Sequence, residues 1–555
     1  MNDVLAALGV LVAAAGAAGA ILLPAGRLRS AAMLAALVLF PALILGDQWH
    51  SHQIVDLRDH PSRLAALGVL GAALSAALAA AFTRWPVVLS LAIVAALPFR
   101  VPLHAGGDTA NLLVPLYLVI AGGVLATAVR EWRSAQPPLP GGGAGGGTTP
   151  EEASATAGGG GSPAATGPAG PVAWLPRVLA AVVLLYAVQV LYSADFSKGL
   201  QDVCFFFVPF SLAYGLLRGV SWDRKLLTLV IWAIGIEAVC FVVVGSVEYV
   251  SKDLFWNDQV IRSNEFHTYF RVNSVFWDPN VYGRYLALVI VVAMSALLWA
   301  RERRALALLS TLVALLWIGL APTFSQSSFA ALLAGLAVLA ALKWSLRWTL
   351  AAVGAFAVLG ALVVLLTGGR ASFNRLNIDT SGRANLVSGG IHLFAQRPLY
   401  GYGSGSFPKA YREHVQTHKA PVSVSHTEPV TIAAEQGVLG LAAYIALVLT
   451  ALWTMVAGLR SSLLLLPDSR AGGGEGGGSR TDRGPPAGPP PSPPPARLPV
   501  ARAAVLATFT ALIVHTMAYA GFFEDPITWV LLAVGASLAA ADQRRVSACR
   551  DTSAA

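Results

Sequence analysis

The stretch YLALVIVVAMSALLWARERRALALLSTLVALLWIGLAP (285–322) holds two apolar runs separated by Arg301-Glu302-Arg303-Arg304. A helix rising ~1.5 Å per residue needs about 20 apolar residues to cross a hydrocarbon core ~30 Å thick, and each run comes close to that length. The basic cluster between them is the kind of loop that stays on the cytoplasmic side. The same pattern repeats outward in both directions. Candidate spans fall at 4–24, 31–46, 64–82, 85–98, 111–129, 174–193, 201–218, 226–248, 281–300, 305–322, 327–343, 348–367, 429–457, 500–520 and 526–541. The weakest are 85–98, short and flanked by proline, and 327–343, which follows the polar break TFSQSS (323–328) and could be tilted or re-entrant. Composition agrees: of 555 residues 56% are hydrophobic and 12% charged, against about 25% charged in a soluble domain. A soluble enzyme, a secreted disulfide scaffold and a disordered chain are excluded. The fold class is all-α, a polytopic transmembrane bundle of about 12–15 spans.

The formal net charge of +9 does not indicate nucleic acid, because much of the excess sits in short clusters beside apolar runs. With spans alternating sides, Arg27–Arg29, Arg84, REWR (130–133), RGVSWDRK (218–225), RERR (301–304), KWSLR (343–347) and DQRR (542–545) share one face, expected to be cytoplasmic. The N-terminus is then expected outside and the C-terminus inside. The opening MNDVLAALG lacks a basic region and reads as the first helix, not a cleaved signal. Cys204, Cys240 and Cys549 form no CxxC and say nothing of redox compartment.

Two low-complexity stretches divide the chain. The expected units are an N-terminal transmembrane block (1–133), a Gly/Pro-rich cytoplasmic linker (134–170) and a central transmembrane block (171–367). A large extracytoplasmic loop (368–427), a helix (428–466), a second linker (467–498) and a C-terminal pair with its tail (499–555) follow. The linkers cannot bury a core. A tolerated spacer is their simplest reading, and the proline-rich run also suits an SH3-like partner.

Two loops on the other face have the composition of folded protein. Loop 368–427 carries seven basic residues against two acidic ones, plus four histidines, which runs against the charge rule governing the other loops. An arginine-rich surface there suits an anionic ligand, and diphosphate fits the guanidinium fork; a solvated face or lipid headgroup contact is the plain alternative. Within it, SGRANLVSGGIHLFAQRP (381–398) reads as an amphipathic helix with Ala384, Leu386, Val387, Ile391, Leu393 and Phe394 on one side. The following PLYGYGSGSF (398–407) is neither a P-loop nor a nucleophile elbow. His426 stands where the loop re-enters the membrane, placed to act as a base or simply as a structural residue. His392, His414 and His418 give no convincing metal pair apart from 414/418, so no metal site is expected.

The other loop contributes FHTYFRVNSVFWDPNVYGRY (266–285). Its aromatics, Trp277 among them, suit sugar stacking or an interfacial belt, Arg271 and Arg284 suit phosphate, and Asp278 suits a helix start. Inside the spans Glu237, Glu435 and His515 are the clearest ionisable residues, the raw material a proton-coupled transporter would need.

Taken in order, R-x-x-S-x-F-x-D-P-N-x-x-G at 271–283, the serine-rich break at 325–328, GR-A at 382–384, P-L-x-G-x-G-x-G-S-F at 398–407 and S-H…E-x-G-x-x-G at 425–440 resemble the O-antigen ligase/polymerase superfamily. These are bacterial membrane glycosyltransferases of GT-C-like architecture that use polyprenyl-diphosphate-linked glycans outside the cytoplasmic membrane. The resemblance covers about 265–440; residues 1–200 match only as generic helices. It implies that Arg271 and Arg383 hold the donor diphosphate and that His426 is the catalytic base. It also implies supporting roles for Glu435 and for Gly401, Gly403 and Gly405, beside those read above for Arg284 and Trp277. The chain departs from the family at Thr427, where asparagine often follows the histidine, and at Gln326, where arginine often follows the serine.

The expected function is inverting, metal-independent and cofactor-free transfer of a glycan to an acceptor hydroxyl on a glycan, lipid or protein. The expected surroundings are membrane lipids at the bacterial inner membrane, with no nucleic-acid partner. A transporter or flippase of a lipid-linked saccharide, and an envelope-assembly scaffold, are the alternatives.

Overall fold

The computed structural model describes the chain apart from residues 1–2, 50, 52–54, 56–58, 106–107, 135–169, 256, 267–268, 367–381, 416–423, 460–497 and 555. The linker stretches 135–169 and 467–497 and much of the large loop, His418 included, therefore lie outside the described residues. Among the described residues, thirteen helices are long and apolar enough to cross a membrane. In chain order these and the remaining helices are α1 (Asp3–Leu22), α2 (Arg27–Asp47), α3 (Pro61–Arg84), α4 (Pro86–Ala96), α5 (Val114–Ser134), α6 (Pro171–Val190) and α7 (Phe196–Leu217). Next come α8 (Arg224–Ser251), α9 (Asp258–Phe266), α10 (Pro279–Leu298), α11 (Arg303–Leu320), α12 (Gln326–Lys343) and α13 (Leu346–Leu366). The last are α14 (Arg383–Gln396), α15 (Phe407–His414), α16 (Glu428–Val456), α17 (Leu498–Thr516) and α18 (Pro526–Ala554).

Every expected span has its helix. Segment 85–98 is the short one, with 11 residues in α4, whereas 327–343 forms a full helix of 18 residues. One departure from helix is a hairpin, Val101–Ala105 against Asp108–Leu112. Its two short alternating strands flank Gly106-Gly107 in the sequence, a hairpin signal easily lost between two apolar runs.

Two apolar cores organise the bundle. One joins α1, α2, α5, α6 and α7 to α16 and α18, with the N-terminal block packed on α6 and α7 and these in turn on the C-terminal helices. The other surrounds α10 with α8, α11, α12 and the facing side of α17. Small residues bring helices close where lipid provides no hydrophobic drive between them: a Cβ on Gly215 would lie 2.8 Å from the Ala20 carbonyl.

Polar contacts mark the two ends. At one, Arg29 pairs with Glu131, Arg218 donates to the Ile21 carbonyl, Arg502 pairs with Asp542, and Ser537 donates to the Val220 carbonyl. This end carries most of the basic loops. The opposite end gathers the turns after α6, α8, α11 and α17 and the start of α16. There the site is built.

Candidate functional site

Asp278 starts α10 as its N-cap, accepting the Asn280 amide at 2.6 Å, with Pro279 in the first turn. That cap fixes the preceding segment, and Arg271 lies against it. The Arg271 guanidinium donates from Nε to the Thr323 carbonyl at 2.9 Å and from an Nη to Asn280 Oδ1 at 3.1 Å. Its backbone is clamped both ways by the Asn264 side chain, at 3.1 and 2.9 Å. The fork is thus immobilised before any ligand arrives.

The TFSQSS break supplies the next wall. Ser325 caps α12, and its hydroxyl lies 2.8 Å from that of Ser328 and 3.2 Å from that of Ser327. Ser327 reaches His515 Nε2 at 3.2 Å. The serines therefore end one span, start the next and bind a third.

His426 occupies the turn before α16 with a φ of 63°, in the left-handed region that a non-glycine residue adopts at a cost of about 1–3 kcal/mol. Ser425, fully buried, braces that turn: its hydroxyl donates to the Thr427 carbonyl at 2.8 Å and lies 2.7 Å from Thr431 Oγ1. Glu428, at the start of the helix, accepts the Gly521 and Phe522 amides at 2.7 and 3.0 Å and ties the α17–α18 loop to the histidine. From that loop the Tyr519 ring stands 6.1 Å from the His426 ring and 5.7 Å from the His515 ring, and its hydroxyl bonds Asp278.

Arg383, the first residue of α14, donates to the Ala518 carbonyl at 3.3 Å. Arg271 and Arg383 feel each other's charge, as do Arg383, Asp278 and His426. Burial, then the Arg383 charge, hold the His426 pKa below the usual histidine value, with Asp278 opposing. That shift favours the neutral imidazole, the form that accepts a proton. Burial also lowers the Arg271 pKa, and Asp278 counters it. Burial and Asp278 together push the Tyr519 phenol up.

The three residues expected to act together are thus brought together, although Arg271 and His426 lie 155 positions apart in sequence. The supporting residues are placed otherwise. Arg284 forms a buried ion pair with Asp525 at 2.9 Å, so its charge is spent on the α17–α18 loop. Trp277 is half-buried and its carbonyl accepts the Asn257 side-chain amide. Glu435 accepts the backbone amides of Gly405 and Phe407, each at 2.9 Å. Gly401, Gly403 and Gly405 have φ of 66°, 94° and 76°. Their turn is pressed into the ends of α6, α7 and α16, where a Cβ on Gly403 would lie 2.2 Å from Ser193 Cα. Opposite it α16 kinks at Gly437, φ 65°, and Val438 donates to the Pro398 carbonyl at 2.7 Å.

Helix α14 keeps its expected apolar face at Ala384, Leu386, Val387, Leu393 and Phe394, with one departure. Ile391 is exposed, and the buried stripe is Gly389, Gly390 and Leu393, because the two glycines admit the Tyr411 and Phe407 rings. Tyr519, Asn264 and Asn280 were not legible as site residues: Tyr519 lies in a short turn between apolar runs, and the asparagines act through a neighbour.

The described residues define a polytopic helical membrane protein with a half-buried histidine beside Arg383, and Arg271 near that arginine, at one end of its bundle. Residues 311–445 match the family model described as O-antigen ligase. The match includes Arg383, the glycine turn, His426 and Glu435; Arg271 lies before it and Tyr519 after it. A comparison with curated proteins finds no match.

Proposed function

We propose that the chain is a membrane glycosyltransferase that moves a glycan from a polyprenyl-diphosphate donor to an acceptor hydroxyl on the outer face of a bacterial cytoplasmic membrane. The observation that carries this reading is a linked cluster in which Arg383 acts on both His426 and Arg271 and Asp278 faces both as well, with burial and Arg383 lowering the His426 pKa. His426 takes the acceptor hydroxyl's proton as its oxygen attacks the anomeric carbon. The bond from that carbon to the diphosphate breaks on the opposite face, so the anomeric centre inverts. The bond's electron pair leaves with the diphosphate, whose charge the two guanidiniums neutralise. Such preorganised charge is worth about 3–4 kcal/mol per donor in a water-poor site. In this scheme the arginines supply the positive charge, and no metal is called upon. Arg284, Glu435 and the glycine turn hold the frame.

The positive-inside pattern supports placing this end of the bundle outside the cytoplasm. The intramembrane ionisable residues are engaged locally: Glu237 accepts from the Tyr285 hydroxyl at 2.7 Å, Glu435 from two backbone amides, and His515 meets Ser327. That supports transfer over proton-coupled transport.

The test is the cellular pool of polyprenyl-diphosphate-linked glycan, by lipid extraction and mass spectrometry, in a deletion strain complemented with wild type or His426→Ala. The expected result is accumulation of externally facing donor, with loss of a surface glycan, in both the deletion and the variant. Donor trapped on the cytoplasmic leaflet would make the protein a flippase. Full glycan transfer by His426→Ala would remove the assigned base.

A further inference from the structure

From beside Arg284 to the end of the bundle away from His426, a cavity of about 1010 Å³ runs among α8, α10, α11, α17 and α18, at the top of the ~300–1,000 Å³ range of small-molecule sites. Its body is apolar, with Ile231, Leu288, Val292, Val505 and Val530 in the walls. It follows α10 from Tyr285 to Leu298, a run of roughly 20 Å at the helical rise. That is the greater part of one hydrocarbon core, so the cavity is an elongated slot.

The charged groups of the slot all lie at its basic-loop end. Its rim carries Arg301 and Lys343 against the single acid Glu302, with Trp222, Trp299 and Trp344 beside them. The Lys343 ammonium stands 5.1 Å from the Trp299 ring centre. Two lining side chains are buried yet make no hydrogen bond within the protein: the Trp222 indole N–H, in a residue 7% exposed, and the Thr508 hydroxyl, in one 2% exposed. A buried donor without a partner costs about 1–3 kcal/mol, and a ligand oxygen removes that cost.

We propose that this slot binds one anionic glycerophospholipid from the leaflet on the basic-loop side. Its acyl chains fill the apolar body, and its phosphate lies at Arg301 and Lys343 with an oxygen accepting from the Trp222 indole. Basic pockets between membrane helices suit anionic headgroups, and tryptophan favours that depth. The charge cannot be the donor's diphosphate bound at the His426 end, because Arg284 and Arg301 are 17 positions apart along and just past α10, roughly 25 Å. The lipid would wedge α8 against α17 and α18, whose loop carries Tyr519.

The test is native mass spectrometry of the full chain in mild detergent, with phosphatidylglycerol and phosphatidylcholine as probes. Wild type is expected to retain a single phosphatidylglycerol in preference to phosphatidylcholine. Arg301→Gln with Lys343→Gln should weaken retention roughly 30-fold, two surface charges' worth. Ala504→Phe fills the slot without touching charge and should expel the lipid too. Equal retention of both lipids by wild type overturns the proposal without recourse to any variant. So does full retention by a monodisperse variant of either kind. Displacement of the bound lipid by a polyprenyl phosphate at equal concentration would assign the slot to a donor's tail instead.

Discussion

Burial, reinforced by the Arg383 charge, holds the pKa of His426 down. The guanidinium, anchored on the Ala518 carbonyl at 3.3 Å, adds its charge to the burial of the imidazole, while Asp278 pulls the other way. The arginine thus adds to what keeps the histidine ready to accept a proton, and its charge also reaches Arg271. The sign follows directly. A histidine with a lowered pKa stays neutral to a lower pH, so the acid limb of activity lies below the ordinary value of 6.5.

Arg383→Gln should move that acid limb to higher pH, and Asp278→Asn should move it lower. Rates well above the limb should also fall for Arg383→Gln, by about 10²–10³-fold if the guanidinium stabilises the leaving group. Transfer rates against pH in proteoliposomes check both. An unmoved limb in Arg383→Gln would show that His426 is not the titrating base.

Arg271→Lys keeps the charge and loses the fork. An ammonium cannot replace both the Nε bond to Thr323 and the Nη bond to Asn280, each in fixed planar geometry. With about 1.5–3 kcal/mol for a hydrogen bond to a charged group, donor use should fall roughly 10- to 100-fold. The measurement is kcat/KM with varied donor; a value near wild type would mean that only charge matters at this position.

Ser425→Ala should leave the bundle folded and impair the reaction. It removes the hydroxyl that braces the His426 turn through Thr427 and Thr431, leaving buried groups unpaired at about 1–3 kcal/mol. The expected signature is a lower kcat at unchanged donor KM, with the melting temperature of the purified chain lowered only slightly.

The Arg284–Asp525 pair should behave as a buried strut. Either partner alone, as Arg284→Met or Asp525→Leu, strands a charge and should cost about 3–5 kcal/mol, whereas the double variant should recover most of it. Thermal melts of all three in one detergent decide the point; additive losses would mean that the two residues act independently.

Gly403→Ala should be among the most damaging of single substitutions. The position needs a φ of 94°, and the new Cβ would meet Ser193 Cα at 2.2 Å. Gly354→Ala in α13 meets nothing within 4 Å and should be stabilising by about 0.5–1 kcal/mol. Folded yield and thermal midpoint compare the two.

The apolar runs, their number and the basic loops between them are legible in the sequence because lipid imposes one requirement on every span: a backbone that satisfies its own hydrogen bonds and an apolar exterior long enough to cross. Glycines at 401, 403, 405 and 437 are legible too, as punctuation, since their backbone conformations leave little choice of residue. His426, Arg271 and Arg383 stand out because charged and titratable residues beside a membrane are few.

Partnership is what the sequence does not encode locally. Nothing in a string of residues pairs Arg284 with Asp525, hangs Tyr519 beside His426, or turns two glycines of α14 inward while Ile391 faces out. Those outcomes depend on which helices lie side by side, and in lipid that is settled by close packing of small side chains and by polar contacts at the ends. The spans, their expected sides and the residues capable of chemistry can be read from the order of amino acids. Which of those residues meet is a property of the folded bundle, because a pKa or a binding pocket is set by the neighbours that packing brings within a few ångströms.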